Sequence, residues 1–283
     1  MHYRRTLVEA STHELQLSES EFTELKNFQN GLLGKWFNFG LARSGGANRI
    51  APYLANRTYG PKGGKNMASN IDPRVDFAFK KLFGSEENKD LLISLINAIL
   101  QLKDPVVAVT LKNPYNLKDY RDGKLSILDI KAQDQNGRWY NVEMQISEDL
   151  QFDKRALYYW CKLLTEQIQE GDPYKDLTKT FSINILAFDI FSKVTNFHNR
   201  YRILNMDTSK DDARHLEFEM HYVELTKFRK NFDELTTALD RWVIFLTRAR
   251  ELYKRKLPAT LSADVSINRA LAVMQRFFDD EER

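Results

Sequence analysis

The stretch SILDIKAQDQNGRWYNVEMQI, residues 126–146, constrains the fold more than any other part of the chain. Two runs of strand-forming residues flank a turn, and each run holds an acid in its interior, Asp129 and Glu143. Carboxylates are poor strand residues and are costly to bury without compensation. Side chains alternate along a strand, so Ile127, Asp129 and Lys131 share one face while Leu128, Ile130 and Ala132 share the other. On the return strand Trp139, Asn141, Glu143 and Gln145 lie on one side and Tyr140, Val142, Met144 and Ile146 on the opposite one. Each strand therefore has a polar side and an apolar side.

The loop length decides whether those sides match. A two-residue Asn136-Gly137 turn sets Asp129 opposite Met144 and mixes the faces. A three-residue loop, Gln135-Asn136-Gly137, puts glycine at the left-handed position such loops require. It sets Asp129 opposite Glu143 and Lys131 opposite Asn141. We expect this register, because it keeps the apolar set together. Two carboxylates directly opposed repel. A divalent cation between them removes the conflict, and two carboxylates plus water and a phosphate oxygen suit Mg²⁺. The other reading is a solvated face on an edge hairpin, with Lys131 and Arg138 balancing the charge.

Composition fits one mixed α/β domain: 283 residues, 42% hydrophobic and 29% charged, need no disulfide staples to form a core. The single Cys161 has no partner, and the amino end lacks the apolar core of a signal peptide. No run approaches the length of a membrane span. These features predict a soluble protein of the cytoplasm, with no membrane partner. Net charge is +3 and uneven, since residues 1–66 hold nine Lys/Arg against five Asp/Glu and the remainder is close to neutral.

That division follows a change of character. Residues 1–66 offer one short helical pattern, ELQLSESEFTELKNFQNGLL, and then a Gly-, Asn- and Pro-rich stretch that reads as a poorly ordered basic leader. Met67 is a candidate start of translation. From there DPRVDFAFKKLFG predicts a helix capped by Asp72, begun by Pro73 and closed by Gly84, with Phe77, Phe79, Leu82 and Phe83 as its apolar stripe. ENKDLLISLINAIL predicts a second helix. A strand in VVAVTL, the hairpin and a helix over residues 148–170 follow. Then come a strand in FSINILAFDI and weaker strands at YRIL and EFEMHYVEL. Residues 67–230 thus read as one core and residues 231–283 as a helical C-terminal extension, giving an α/β sheet covered by helices.

The blocks DPRVDFAFKKLFG, NKDLLISLINAIL, ILDIKAQDQNGRWYNVEMQ, KRALYYWCKLLTEQIQEGDPYKDL and ELTKF resemble the PD-(D/E)XK nuclease family transposases, the Rpn group of recombination-promoting nucleases, over residues 71–242. The resemblance implies a restriction-endonuclease-like mixed sheet flanked by helices, with the metal site on the central hairpin. It assigns Asp129 and Glu143 to the metal, Mg²⁺ or else Mn²⁺, with Met144 offering its backbone carbonyl. It further implies a Mg²⁺-dependent endonuclease acting on double-stranded DNA, with a homodimer open.

One departure matters. The wider superfamily ends its motif in Lys, where this chain, like members of the transposase group, has Gln145. A glutamine amide can orient the attacking water but brings no charge to the phosphate. Lys131, on the same face as Asp129, is a candidate for that charge, and its other reading is a surface salt-bridge partner. Arg155 is a candidate for the scissile phosphate. Tyr158, Tyr159 and Trp160 read more simply as packing. Asp76 is either an acid beside the metal or a first-turn acid favoured by the helix dipole. The five histidines lack metal-ligand spacing. The alternative function is a catalytically inactive nucleic-acid-binding relic of a mobile element, favoured by Gln145 and the near-neutral core.

Overall fold

A computed structural model describes residues 72–114, 128–210, 218–253 and 256–281. The basic leader with its helical pattern, and Met67, lie outside the described residues. Elements follow the predicted order: α1 (Asp76–Phe83), α2 (Lys89–Leu100), β1 (Val109–Lys112), β2 (Ile130–Asp134), β3 (Trp139–Gln145), α3 (Phe152–Thr165), β4 (Thr180–Leu186), β5 (His198–Tyr201), β6 (Phe218–Glu224), α4 (Ala238–Tyr253), the single turn α5 (Ala259–Ser262) and α6 (Val265–Glu281).

The strands form one mixed sheet in the order β1-β2-β3-β4-β6-β5. The hairpin pairs β1, β2 and β3 antiparallel, α3 crosses over to place β4 parallel to β3, and β6 continues parallel beside β4. Alternation along these strands sends Ile130, Ala132, Tyr140, Val142, Phe181, Ile183 and Ile185 to one face, where α1, α2, α4 and α6 bury their apolar sides. The opposite face packs Leu186, Met220 and Tyr222 against Phe152, Ala156 and Trp160 of α3. This is a restriction-endonuclease-like α/β sandwich of helices about a sheet. The C-terminal helices, set apart by sequence as an extension, contribute Trp242, Phe245, Ile267 and Met274 to the same core as α1 and α2.

Local departures from the expected boundaries have physical causes. Asp72 does not cap α1, because its carboxylate accepts hydrogen bonds from the backbone N–H and side chain of Arg74, forming a turn that delays the helix to Asp76. That delay rotates Phe77 to the outside, 69% exposed, while Ala78 takes its place in the buried stripe. The helix expected over residues 148–170 spans Phe152–Thr165. Its end is set by Gln167, whose amide donates to Thr180 Oγ1 and accepts the Thr178 N–H, turning the chain toward β4 before Gly171. The strand expected at YRIL lies three residues earlier, at His198–Tyr201.

Candidate active site

The hairpin closes through the three-residue loop. Ile130 faces Val142 and Lys131 faces Asn141, and Gly137 sits at φ +77°. Asp134 locks this loop. Its carboxylate accepts the N–H groups of Asn136 and Arg138, the Arg138 Nε and the Tyr140 hydroxyl. The ladder ends at the pair Ile130–Val142, and beyond it Asp129 and Glu143 meet through contacts between side chain and backbone.

The two acids are tied to each other's strands. The Asp129 N–H donates to Glu143 Oε1 at 3.1 Å, and the Met144 N–H donates to Asp129 Oδ2 at 2.9 Å. Both carboxylates are buried, Glu143 at 1% and Asp129 at 7% exposure. They lie near the carboxyl end of β3, at the end of the sheet where the parallel strands β3, β4 and β6 finish. Open α/β sheets bind ligands at such ends. In an extended strand a residue's N–H and C=O address the same neighbour, so the Met144 carbonyl is directed to the edge where Asp129 lies.

Other expected residues divide into two groups. Arg155 on α3 joins the site: its Nη2 donates to Gln145 Oε1 at 2.9 Å and its Nη1 pairs with Asp149 at 3.0 Å, while Gln145 Nε2 donates to the Ser147 carbonyl at 3.2 Å. Lys131 is buried, at 7% exposure, so its ammonium needs a local counter-ion in place of solvent. It forms an ion pair with Glu166 beyond the end of α3 and lies 5.5 Å from the centre of the Trp139 ring. Tyr159 and Trp160 pack as core, at 3% and 7% exposure.

Sequence reasoning missed Lys80. Its Nζ lies 2.8 Å from Asp76 Oδ1, one turn back on α1, and 3.8 Å from Asp129 Oδ1. The approach depends on how α1 packs, which no local pattern encodes. It also missed Ser182 and Asn184, both fully buried, which with Asn141 extend the polar strip from Glu143 across β3 and β4. Their alternation with Phe181, Ile183 and Ile185 was the available signal.

The donor set suits a hard divalent ion. Among the described residues no group of three or more His, Cys, Asp or Glu side chains gathers to hold a metal. Two carboxylates and a carbonyl are nevertheless oxygen donors of the kind such ions take, with water filling the remaining positions. An ammonium at 3.8 Å from the buried Asp129 marks the place as one where positive charge is stabilised.

The family description PD-(D/E)XK nuclease family transposase matches residues 73–283. The chain belongs to this family. Its match runs through α4 and α6, the helices that complete the core beside α1 and α2. No curated protein and no solved structure matches the chain. A nuclease of transposase type is the function the family supports, with DNA as substrate class and divalent-metal chemistry as its general means. No described helix of this family member is long and apolar enough to cross a membrane.

Proposed function

We propose that this transposase-family protein is a Mg²⁺-dependent endonuclease of double-stranded DNA, with Mn²⁺ as the other ion its oxygen donors suit. The supporting observation is the reciprocal anchoring of two buried acids: Glu143 accepts the Asp129 N–H and Asp129 accepts the Met144 N–H. Asp129, Glu143 and the Met144 carbonyl would hold the ion. When bound, it supplies a Lewis acid for the phosphate and lowers the pKa of a water. Gln145 orients that water through its amide, and Arg155, anchored by Asp149, fixes the amide. Lys131 braces the hairpin against Glu166.

The test is plasmid nicking with and without Mg²⁺. Wild type is expected to nick only with the ion, and Asp129→Ala and Glu143→Ala to lose activity while remaining folded. Unchanged cleavage by well-purified Asp129→Ala protein refutes the assignment. A non-catalytic nucleic-acid-binding relic is the second reading, and one observation favours it: both ends of the Gln145 amide are engaged within the protein, by Arg155 and Ser147. Such a relic binds DNA without nicking it and without Mn²⁺ binding through the acid pair.

A further inference from the structure

The motif of this chain lacks a lysine after Glu143, and the lysine next to Asp129 in the sequence, Lys131, is held by Glu166. A different cation stands at the acids. Lys80 comes from α1, some fifty residues earlier in the chain, and its ammonium lies between Asp76 and Asp129. The accessibilities along this line differ in a telling way: the side chain of Asp76 is 43% exposed, that of Lys80 34%, and that of Asp129 4%. Lys80 therefore sits at the boundary between solvent and the buried carboxylate, on the side from which a polyanion can approach.

The two contacts are unequal. The Asp76 pair is a close hydrogen-bonded one at the surface, whereas the Asp129 contact, at 3.8 Å, is a charge approach without a hydrogen bond. An exposed i,i+4 pair holds a lysine only weakly, so the ammonium is free to exchange partners when a stronger anion arrives. A phosphate diester drawn toward Asp129 and Glu143 enters within reach of that ammonium. A lysine there meets the requirement that Gln145 cannot, a positive charge aimed where negative charge develops on the attacked phosphate.

We infer that Lys80 is a catalytic residue of this site, its ammonium leaving Asp76 to contact the scissile phosphate beside the acid pair. This rests on the nuclease reading above. Asp76 is then the group that parks the ammonium, and no bond is made or broken by Lys80 itself. The same placement has an equilibrium consequence independent of catalysis. A unit positive charge near Asp129 opposes a divalent ion, so its removal strengthens ion binding.

The experiment compares wild type with Lys80→Gln, Lys80→Arg and Asp129→Asn in two readouts. One is Mn²⁺ affinity of the full chain by calorimetry, with the metal alone. The other is plasmid nicking at saturating Mn²⁺. For Lys80→Gln we expect affinity to tighten about three- to tenfold, and nicking to fall on the order of 10²-fold, with partial rescue in Lys80→Arg. Thermal melts check folding, and Gln is a good helix former at this half-buried site. If wild type nicks, Asp129→Asn does not, and Lys80→Gln nicks like wild type, the role of Lys80 is overturned while the nuclease reading stands. If no variant nicks, wild type included, the nuclease reading fails. In that case a Mn²⁺ affinity unmoved by Lys80→Gln also overturns the placement of the ammonium beside the ion.

Discussion

The backbone N–H of Asp129 donates to the Glu143 carboxylate at 3.1 Å, and the N–H of Met144 returns the contact to Asp129 Oδ2 at 2.9 Å. Each carboxylate is thereby anchored by the main chain beside the other acid. These two hydrogen bonds fix the orientation of both carboxylates.

Glu143→Gln separates function from stability. The amide oxygen still accepts the Asp129 N–H, but one of two opposed charges is gone. We expect nicking to be lost and the unfolding free energy to be kept or raised by up to about 1 kcal/mol, since like charges across strands destabilise. Urea denaturation of the two proteins at neutral pH checks this.

Arg155→Lys tests the support of Gln145. Lysine keeps the charge but cannot span Gln145 Oε1 and Asp149 together as the guanidinium does at 2.9 and 3.0 Å. Nicking is expected to fall roughly tenfold or more, as for other residues that orient ligands of a metal site. Mn²⁺ affinity should stay at the wild-type value. A parallel loss of affinity would mean that Arg155 acts on the acids themselves.

Gly137→Ala tests the loop. An added Cβ meets nothing closer than Thr178 Cγ2 at 3.7 Å, so the penalty is the backbone alone, at φ +77°. That amounts to about 1 kcal/mol of stability. Urea denaturation of the variant beside wild type measures that loss.

Acid should destabilise the far end of the sheet in two stages. His198 lies 2.9 Å from His221, which is itself 2.9 Å from Glu219, and Lys179, Arg200 and Arg202 surround the three. Burial first, and then the charges of His221 and Arg200, depress His198 to about 4 from 6.5. The unfolded chain thus binds this proton more tightly, and stability present above pH 6.5 is lost as the pH falls toward 4. Burial opposes ionisation of Glu219, but hydrogen bonds from His221 and Lys179 outweigh it and bring the carboxyl to about 2. Its contribution is present above about 4.5 and is lost between there and 2. Urea midpoints measured against pH should fall from about 6.5 downward, and His198→Gln should remove the upper stage only.

The sequence carried the hairpin register because its information is local. Strand alternation and the left-handed position at Gly137 select one register, and the pairs from Ile130–Val142 to Gln133–Trp139 adopt it. Element order was equally legible, since each element has its own periodicity. Contacts between distant segments were not. Lys80 reaches Asp129 only because Phe79, Leu82 and Phe83 dock α1 onto the core, and Lys131 meets Glu166 only because α3 ends where Gln167 turns the chain. Competition between side chain and backbone was likewise hidden: Asp72 reads as a cap, yet Arg74 captures its carboxylate.

The outermost strands β1 and β5 are only four residues long, and each carries a cation, Lys112 and Arg200. Short, charged margins are poor templates for a further strand. Among the described strands the sheet thus gives a second copy little to extend, and two copies sharing a paired cut would meet through helices or through the DNA itself.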